Sequence, residues 1–243
     1  MSLPLVHAPS VAPVGAAAPI GRAAIRALYA ELALHPKPGL VSPLDSGSHR
    51  DMDMSTFMRS LFALRGYYRD IAAAGWLHHA GKPRGGPALG DTVAALWGGD
   101  ILAAAPQAPD SNGAQAIRRY GARGARQEAA EGFPTLFTVA LPALARTLDL
   151  LGCAERAMVQ TLFALMATLD DTNLLHRGGA AGLAFVQAEA QRFLDRGGVF
   201  RPDWRADALA LHEACIGRHL SPGGSADMLA AAWFVHSQQI AWG

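Results

Sequence analysis

The chain reads as an all-α protein, a single-domain bundle of roughly eight to ten helices. Three observations carry that reading. The 243 residues include 49 Ala and 30 Leu against 10 Val and 7 Ile, a balance that favours helix over strand. Apolar residues recur at helical spacing in one segment after another, and no alternating, strand-like run of useful length occurs. The boundaries of these segments carry Asp, Ser, Pro and Gly, the residues that start and stop helices. With 51% hydrophobic residues there is enough apolar material for one sizeable core.

Taken in order, residues 1–20 are apolar, lack a basic start and hold Pro4, Pro9, Pro13 and Pro19; this predicts a flexible leader, not a signal peptide. The helical domain is expected over 21–243. From Gly21 to Leu34, Ile25, Leu28 and Leu32 mark a helix, which Pro36 and Pro38 stop. Asp51 or Asp53 can cap the next, through Phe57, Leu61, Leu64, Tyr68 and Ile71 to about Ala74. Gly75 to Gly90 is expected as loop or broken helix, Asp91 as the cap of a helix ending near Ala105, and Pro106 to Asn112 as a connector. A polar helix with Arg118, Arg119, Arg123 and Arg126 follows from Gln115 to Glu131. Pro134 suits the first turn of a helix that runs to Leu151 with a kink at Pro142. Ala154 to about Leu175 predicts an amphipathic helix ended by Gly178 and Gly179. Ala181 to Asp195, Trp204 to His219 and Ala226 to Ile240 complete the set, and no internal repeat or low-complexity linker divides it.

The net charge of +1, from 21 basic and 20 acidic residues, argues against bulk nucleic-acid binding. Cys153 and Cys215 form no CxxC or Cys/His cluster, so no zinc site is expected and both are read as buried thiols of a reducing compartment. No uninterrupted apolar run of about 18 residues occurs, so no membrane span is expected and the cytoplasm is the expected location.

Against this background stand three polar islands rich in glycine. The first is His35-Pro36-Lys37-Pro38-Gly39-Leu40-Val41, followed by His49-Arg50-Asp51-Met52-Asp53. Prolines on both sides of Lys37 can fix it toward a phosphate, or the segment is a turn with a solvated lysine. Asp51 and Asp53 can converge on one cation at a loop-to-helix junction, or cap a helix. The second island is Asp170 to Gly179, where Asp170, Asn173 and Arg177 fall on one helical face close to an expected helix end. In the third, Ser221 to Asp227, Gly223 and Gly224 permit close backbone approach and Ser225 can cap a helix, as in a phosphate-binding turn; Asp227 lies in its first turn. Together the islands point to a site for a metal-bound polyphosphate.

In combination and order, Pro36 to Val41, His49 to Asp53 with Phe57 and Ser60, and Ser221 to Asp227 resemble the triphosphoribosyl-dephospho-CoA synthase family. Gly132-Phe133-Pro134-Thr135 and Leu169 to Gly179 look most like the branch that serves malonate decarboxylase. The resemblance runs from about Gly21 to the C-terminus. It implies an α-helical enzyme that takes ATP, with Mg²⁺, and 3′-dephospho-CoA. Such an enzyme joins the 5-triphosphoribosyl group to the 2′-hydroxyl of the acceptor ribose and releases adenine. The product is the precursor of the prosthetic group on an acyl-carrier subunit. A carboxylate near C1′ would stabilise an oxocarbenium-like state and another would take the hydroxyl proton.

On that reading Asp51, Asp53, Asp170 and Asp171 are candidate catalytic groups, and Asp51, Asp53, Asp171 and Asp227 candidate metal ligands. Lys37, His49, Asn173, His176, Arg177, Gly223, Gly224 and Ser225 are candidates for holding ATP and its phosphates. One departure stands out. The Gly-x-Asn-Thr-His-x-Gly-Ala element of the family is missing; near its place the chain reads Ile71 to His79 and is shorter by several tens of residues. Impaired catalysis is one expectation from this, with His78, His79 and Asn112 as candidate substitutes and a homodimer as a further one. Two other functions stay open: a metal-dependent hydrolase of nucleotides or ADP-ribose, and a non-catalytic nucleotide-binding remnant.

Overall fold

A computed structural model describes residues 14–79, 87–103 and 112–242. Among these residues ten α-helices and no strand are found: α1 Val14–Ala33, α2 Met54–His79, α3 Pro87–Ala103, α4 Asn112–Tyr120, α5 Ala125–Ala130, α6 Leu141–Leu151, α7 Ala154–Thr168, α8 Thr172–Asp195, α9 Trp204–Gly217 and α10 Gly223–Trp242. None of them is long and apolar enough to cross a membrane.

The core forms around α7, which packs against α6, α8 and α10. Val159, Leu162, Phe163, Leu165 and Met166 of this helix are all fully buried, so it is apolar nearly all round, as a central helix must be. Phe163 stacks on Phe193 of α8 with ring centroids 3.8 Å apart. The one fully buried polar side chain in this stretch, Thr161, donates to Ala157 O at 2.8 Å and so leaves no unpaired hydroxyl in the core. α10 also reaches α1, and α2 lies outermost, against α1. On its outer side Phe62 and Tyr67 are 68% and 61% exposed.

Several boundaries differ from those expected. Val14 to Ile20 are helical, so α1 starts inside the expected leader; residues 1–13 lie outside the described residues. α2 continues to His79, past the expected stop near Ala74, while residues 80–86 and 104–111 of the expected loops lie outside the described residues. The expected polar helix breaks into α4 and α5 because Gly121 takes φ +64°. A π-helical segment, Leu136–Ala140, leads into α6, with Pro142 in its first turn. The proline has no N–H for the helix ladder, and the wider turn before it is where that loss is absorbed.

The largest correction concerns the helix expected from Ala154 to about Leu175. It ends at Thr168, and a new helix starts at Thr172. The reason is Asp171, whose Oδ1 accepts from Asn173 N at 2.9 Å and Leu174 N at 3.4 Å as an N-cap. The break expected at Gly178 and Gly179 is present, since Gly179 is non-helical and divides α8 into a short first part and the helix expected over Ala181 to Asp195. Gly179, at φ 62° and ψ −165°, kinks α8, which continues through Gly182 under the side chain of Leu220. The second island therefore sits at a helix start, where backbone N–H groups and the dipole favour anions.

Candidate active site

The end of α1, the loop after it, and the starts of α8 and α10 bring all three islands together. Loop residue Lys37 turns inward and is only 1% exposed. Its Nζ donates to Glu31 Oε1 of α1 at 2.6 Å, its one partner among the described residues. Burial pulls the Lys37 ammonium down and pushes the Glu31 carboxyl up, each opposed by the partner's charge. His212 of α9 pins the loop: its Nδ1 sits 2.8 Å from Lys37 O, and its Nε2 3.2 Å from the Asp45 carboxylate.

Arg177 of α8 ties the first island to the third. It donates through Nη1 to Ser48 O at 3.1 Å and through Nη2 to His49 Nδ1 at 3.0 Å. With Nδ1 accepting, the proton of His49 sits on Nε2, which donates to Ser221 Oγ at 3.1 Å. Burial, then the nearby Arg177, lower the His49 pKa and hold the ring neutral. Ser48 Oγ donates to Leu220 O at 2.5 Å and closes the junction.

Asp171 joins the second island to the third. Beyond capping α8, its Oδ2 accepts from Ser225 N at 2.8 Å and Ser225 Oγ at 3.1 Å. The carboxylate therefore serves the starts of both α8 and α10, and its four lone-pair positions are filled. Burial raises its pKa, against the bonds from Ser225 and Asn173. All its partners are donors, so the contacts require the ionised form. The turn at Gly223 and Gly224 is shaped by this pairing: a Cβ on Gly223 would lie 2.5 Å from Asn173 Nδ2, and one on Gly224 3.2 Å from Asp171 Oδ2. The expected phosphate-binding turn is corrected here, since its Ser225 donors are already given to an internal anion.

Asp227, one helical step beyond, is different. It is exposed, and no donor among the described residues reaches its carboxylate. The protein packed around it pushes it up to about 6, with the charges of Glu31 and Asp171 adding to the rise. Because the side chain is open to water, the two neighbouring carboxylates are the firmer part of that cause. Tyr68 of α2 stands close enough for its phenol to be raised by burial and by the Asp227 charge.

The remaining expected site residues are placed as follows. Asp53 is exposed and caps α2, accepting from Thr56 N at 2.8 Å and Ser55 Oγ at 2.9 Å, which holds it at about 2. Asp51 is exposed on the loop beside His49, and Asp170 is exposed just before the α8 cap. His176 is exposed on α8. The expected convergence of Asp51 and Asp53 with Asp171 and Asp227 on one cation is not found: among the described residues no group of three or more His, Cys, Asp or Glu is spaced to hold a metal ion. The side chains of His78, His79 and Asn112 lie outside what is described. Cys153 and Cys215 are free thiols, and burial pushes Cys215 up to about 12. Sequence reasoning missed Glu31 and His212. Each is one polar residue among several on its helix, and only the folded loop shows that both serve the Lys37 segment.

Fold and site define a helical protein whose polar residues, scattered in sequence, come together around one buried lysine and its carboxylate partner. Comparison with known proteins gives that class a family. A family model described as ATP:dephospho-CoA triphosphoribosyl transferase matches residues 17–100 and 93–242, and the chain belongs to this family of transferases. Among its relatives, a probable 2-(5''-triphosphoribosyl)-3'-dephosphocoenzyme-A synthase of Vibrio cholerae is 34% identical over 272 aligned positions, covering 89% of this chain and 87% of the relative. The 2-(5''-triphosphoribosyl)-3'-dephosphocoenzyme-A synthases of Klebsiella pneumoniae and Pectobacterium atrosepticum are 36% and 35% identical. Each covers 86% of this chain, and 87% and 86% of the relatives respectively. No solved structure matches.

Proposed function

We propose that this protein transfers the 5-triphosphoribosyl group of ATP to the 2′-hydroxyl of 3′-dephospho-CoA, releasing adenine. Membership of the family supports the reaction. The observation that carries the site is the open carboxylate of Asp227 beside the buried Glu31–Lys37 pair, at the joint starts of α8 and α10. In the reaction the bond from C1′ of the ATP ribose to adenine breaks and a bond from C1′ to the acceptor oxygen forms. The hydroxyl proton goes to Asp227 and passes on through water to the departing adenine, so the transfer gains and loses no proton overall. An acid raised to about 6 suits a base working near neutrality. Lys37 supplies a positive charge behind the site, held from within by Glu31, that favours the triphosphate without needing to reach it. Asp171 fixes the geometry in place of touching substrate.

Magnesium fits this donor set as an ion that arrives with the triphosphate and takes most of its ligands from phosphate and water. Exposed Asp51, on the loop of His49, is a carboxylate available to it, as is Asp170, since Asp53 and Asp171 are held by their helix starts. Bound there, the ion would neutralise phosphate charge.

The product is read as the prosthetic-group precursor of the malonate decarboxylase acyl-carrier subunit, on the likeness of residues 132–135 and 169–179. The reading that an internal stretch is absent draws support from two facts. The alignment to the Vibrio cholerae relative spans 272 positions, more than this whole chain, and the family match falls into two pieces that meet within 93–100. Slow turnover is expected if that stretch carries ligands. The test is adenine release from ATP and Mg²⁺, followed by chromatography with and without 3′-dephospho-CoA. Release only with both substrates supports the transfer. Release without the acceptor points to a hydrolase, and ATP binding with no release to a non-catalytic remnant.

A further inference from the structure

The loop that presents Lys37 on one side forms, on another, the wall of an apolar cleft of about 470 Å³. Ala30, Ala33, Leu34 and Met158 line it, with Pro43 and Leu44 at its lip. Three observations set this cleft apart from ordinary surface. Leu44 is 73% exposed, yet the turn that carries it is tightly held. Ser42 N donates to Asp45 O at 2.9 Å, Leu44 N donates to Ser42 Oγ at 3.2 Å, and Asp45 is in turn bound to Gly47 N and beside His212. The backbone that carries this large apolar side chain is thus held in place, so the chain need not be reordered for the side chain to meet a ligand. His35, which lines the cleft, carries the one buried side-chain N or O atom among the described residues with no hydrogen-bond partner, its Nδ1. Finally, Arg205 and Glu155 pair across the cleft wall and add a charged rim to an apolar floor.

We propose that this cleft receives the aliphatic, amide-bearing arm of the acceptor substrate, while the nucleotide end lies at the acid site. The proposal rests on the transferase reading above. The acceptor has two unlike ends: a nucleotide, whose ribose hydroxyl reacts, and a branched chain with two amides and a thiol. The acid site, with Lys37, Glu31 and Asp227, suits the first. The cleft suits the second, because it offers methyl-bearing walls for the chain and a charged rim and an imidazole for the amides. The two regions are neighbours by construction. Glu31 leaves α1 about 100° round the helix from Ala30, and His35 and Lys37 are two residues apart on one loop.

The test is calorimetric titration of the full chain with 3′-dephospho-CoA, ADP (which lacks the arm) and ATP, for the wild type and Leu44→Asp. Leu44 is exposed, so the variant is expected to fold, which circular dichroism checks. The expected result is that the wild type prefers 3′-dephospho-CoA to ADP, and that Leu44→Asp loses roughly tenfold for 3′-dephospho-CoA with ADP and ATP unchanged. A second variant, Ala33→Trp, fills the cleft and is expected to act the same way. Equal wild-type affinity for 3′-dephospho-CoA and ADP, with adenine still released from both substrates, overturns the cleft assignment and leaves the transferase standing. Unchanged 3′-dephospho-CoA binding in both variants does the same. Failure of the wild type to bind 3′-dephospho-CoA at all overturns both.

Discussion

Asp53 and Asp171 do the same local task in different surroundings. Each is the residue before a helix, and each accepts backbone N–H bonds from the first turn. Asp53 stands in water and serves α2 alone. Asp171 is 1% exposed and serves two helices, with Ser225 of α10 giving it both an N–H and a hydroxyl. The comparison teaches that a carboxylate at a helix start becomes structural when a second helix start reaches it, since its lone pairs are then used up. Asp227, two residues past Ser225, shows the opposite outcome. It lies just beyond that pairing, keeps its carboxylate open and is the group proposed to take the proton.

The first way to break this comparison is Asp171→Ala. It strips two helix starts of their acceptor and leaves buried donors unpaired, so a loss of about 3 kcal/mol or more is expected from urea unfolding. Asp53→Ala should shift the urea midpoint little by contrast. Similar losses in the two variants would remove the distinction between them.

The second is Asp227→Asn, expected to lower the rate of adenine release by roughly 10²–10⁴ with the fold kept. Stability sharpens the same point. The folded-state pKa of Asp227 is raised to about 6 from 3.8, so its ionised form weighs against the native state. That penalty is present above about pH 6 and is relieved as pH falls from there toward 4. Asp227→Asn should therefore raise the urea midpoint at pH 7.5 and leave it unchanged at pH 4, whereas Asp171→Asn should lower it at pH 7.5 because it gives up bonds from two helix starts.

Third, Glu31→Gln removes the partner of a buried ammonium. A rise in KM for ATP of roughly tenfold is expected, because Lys37 loses its orienting contact, with a smaller change in kcat. The smallest effect is expected for His49→Gln, which keeps a donor toward Ser221. A loss of no more than about threefold in kcat/KM is expected, against roughly tenfold for His49→Ala, which removes the link from Arg177 to the third island.

The all-helical class was legible because Ala and Leu dominate and the breaks carry Pro, Gly and Asp. The segmentation around residue 170 was not, since Ala154 to Leu175 keeps one amphipathic period and only the capping by Asp171 cuts it. The islands themselves were legible as a set, because polar and glycine residues stand out in an apolar helical chain. Their division of labour was not. Gly223, Gly224 and Ser225 read as a turn for an external phosphate, but the anion they meet is Asp171. Glu31 went unseen because its partner lies six residues on, past a proline that closes the distance only in the fold. The contrast between α7 and α2 follows the same logic. Both are apolar enough to bury, but among the described residues α2 packs mainly on α1, and Phe62 and Tyr67 are exposed.

The most direct test of the division between Asp171 and Asp227 is the pH dependence of adenine release, from pH 5 to 8.5, with ATP, Mg²⁺ and 3′-dephospho-CoA, for the wild type and Asp227→Asn. The expected result is release that requires the acceptor and falls away below about pH 6 in the wild type, with the residual rate of a folded Asp227→Asn showing no such limb. Full activity in Asp227→Asn, or the same limb near pH 6 in both proteins, would contradict the assignment of the proton to Asp227.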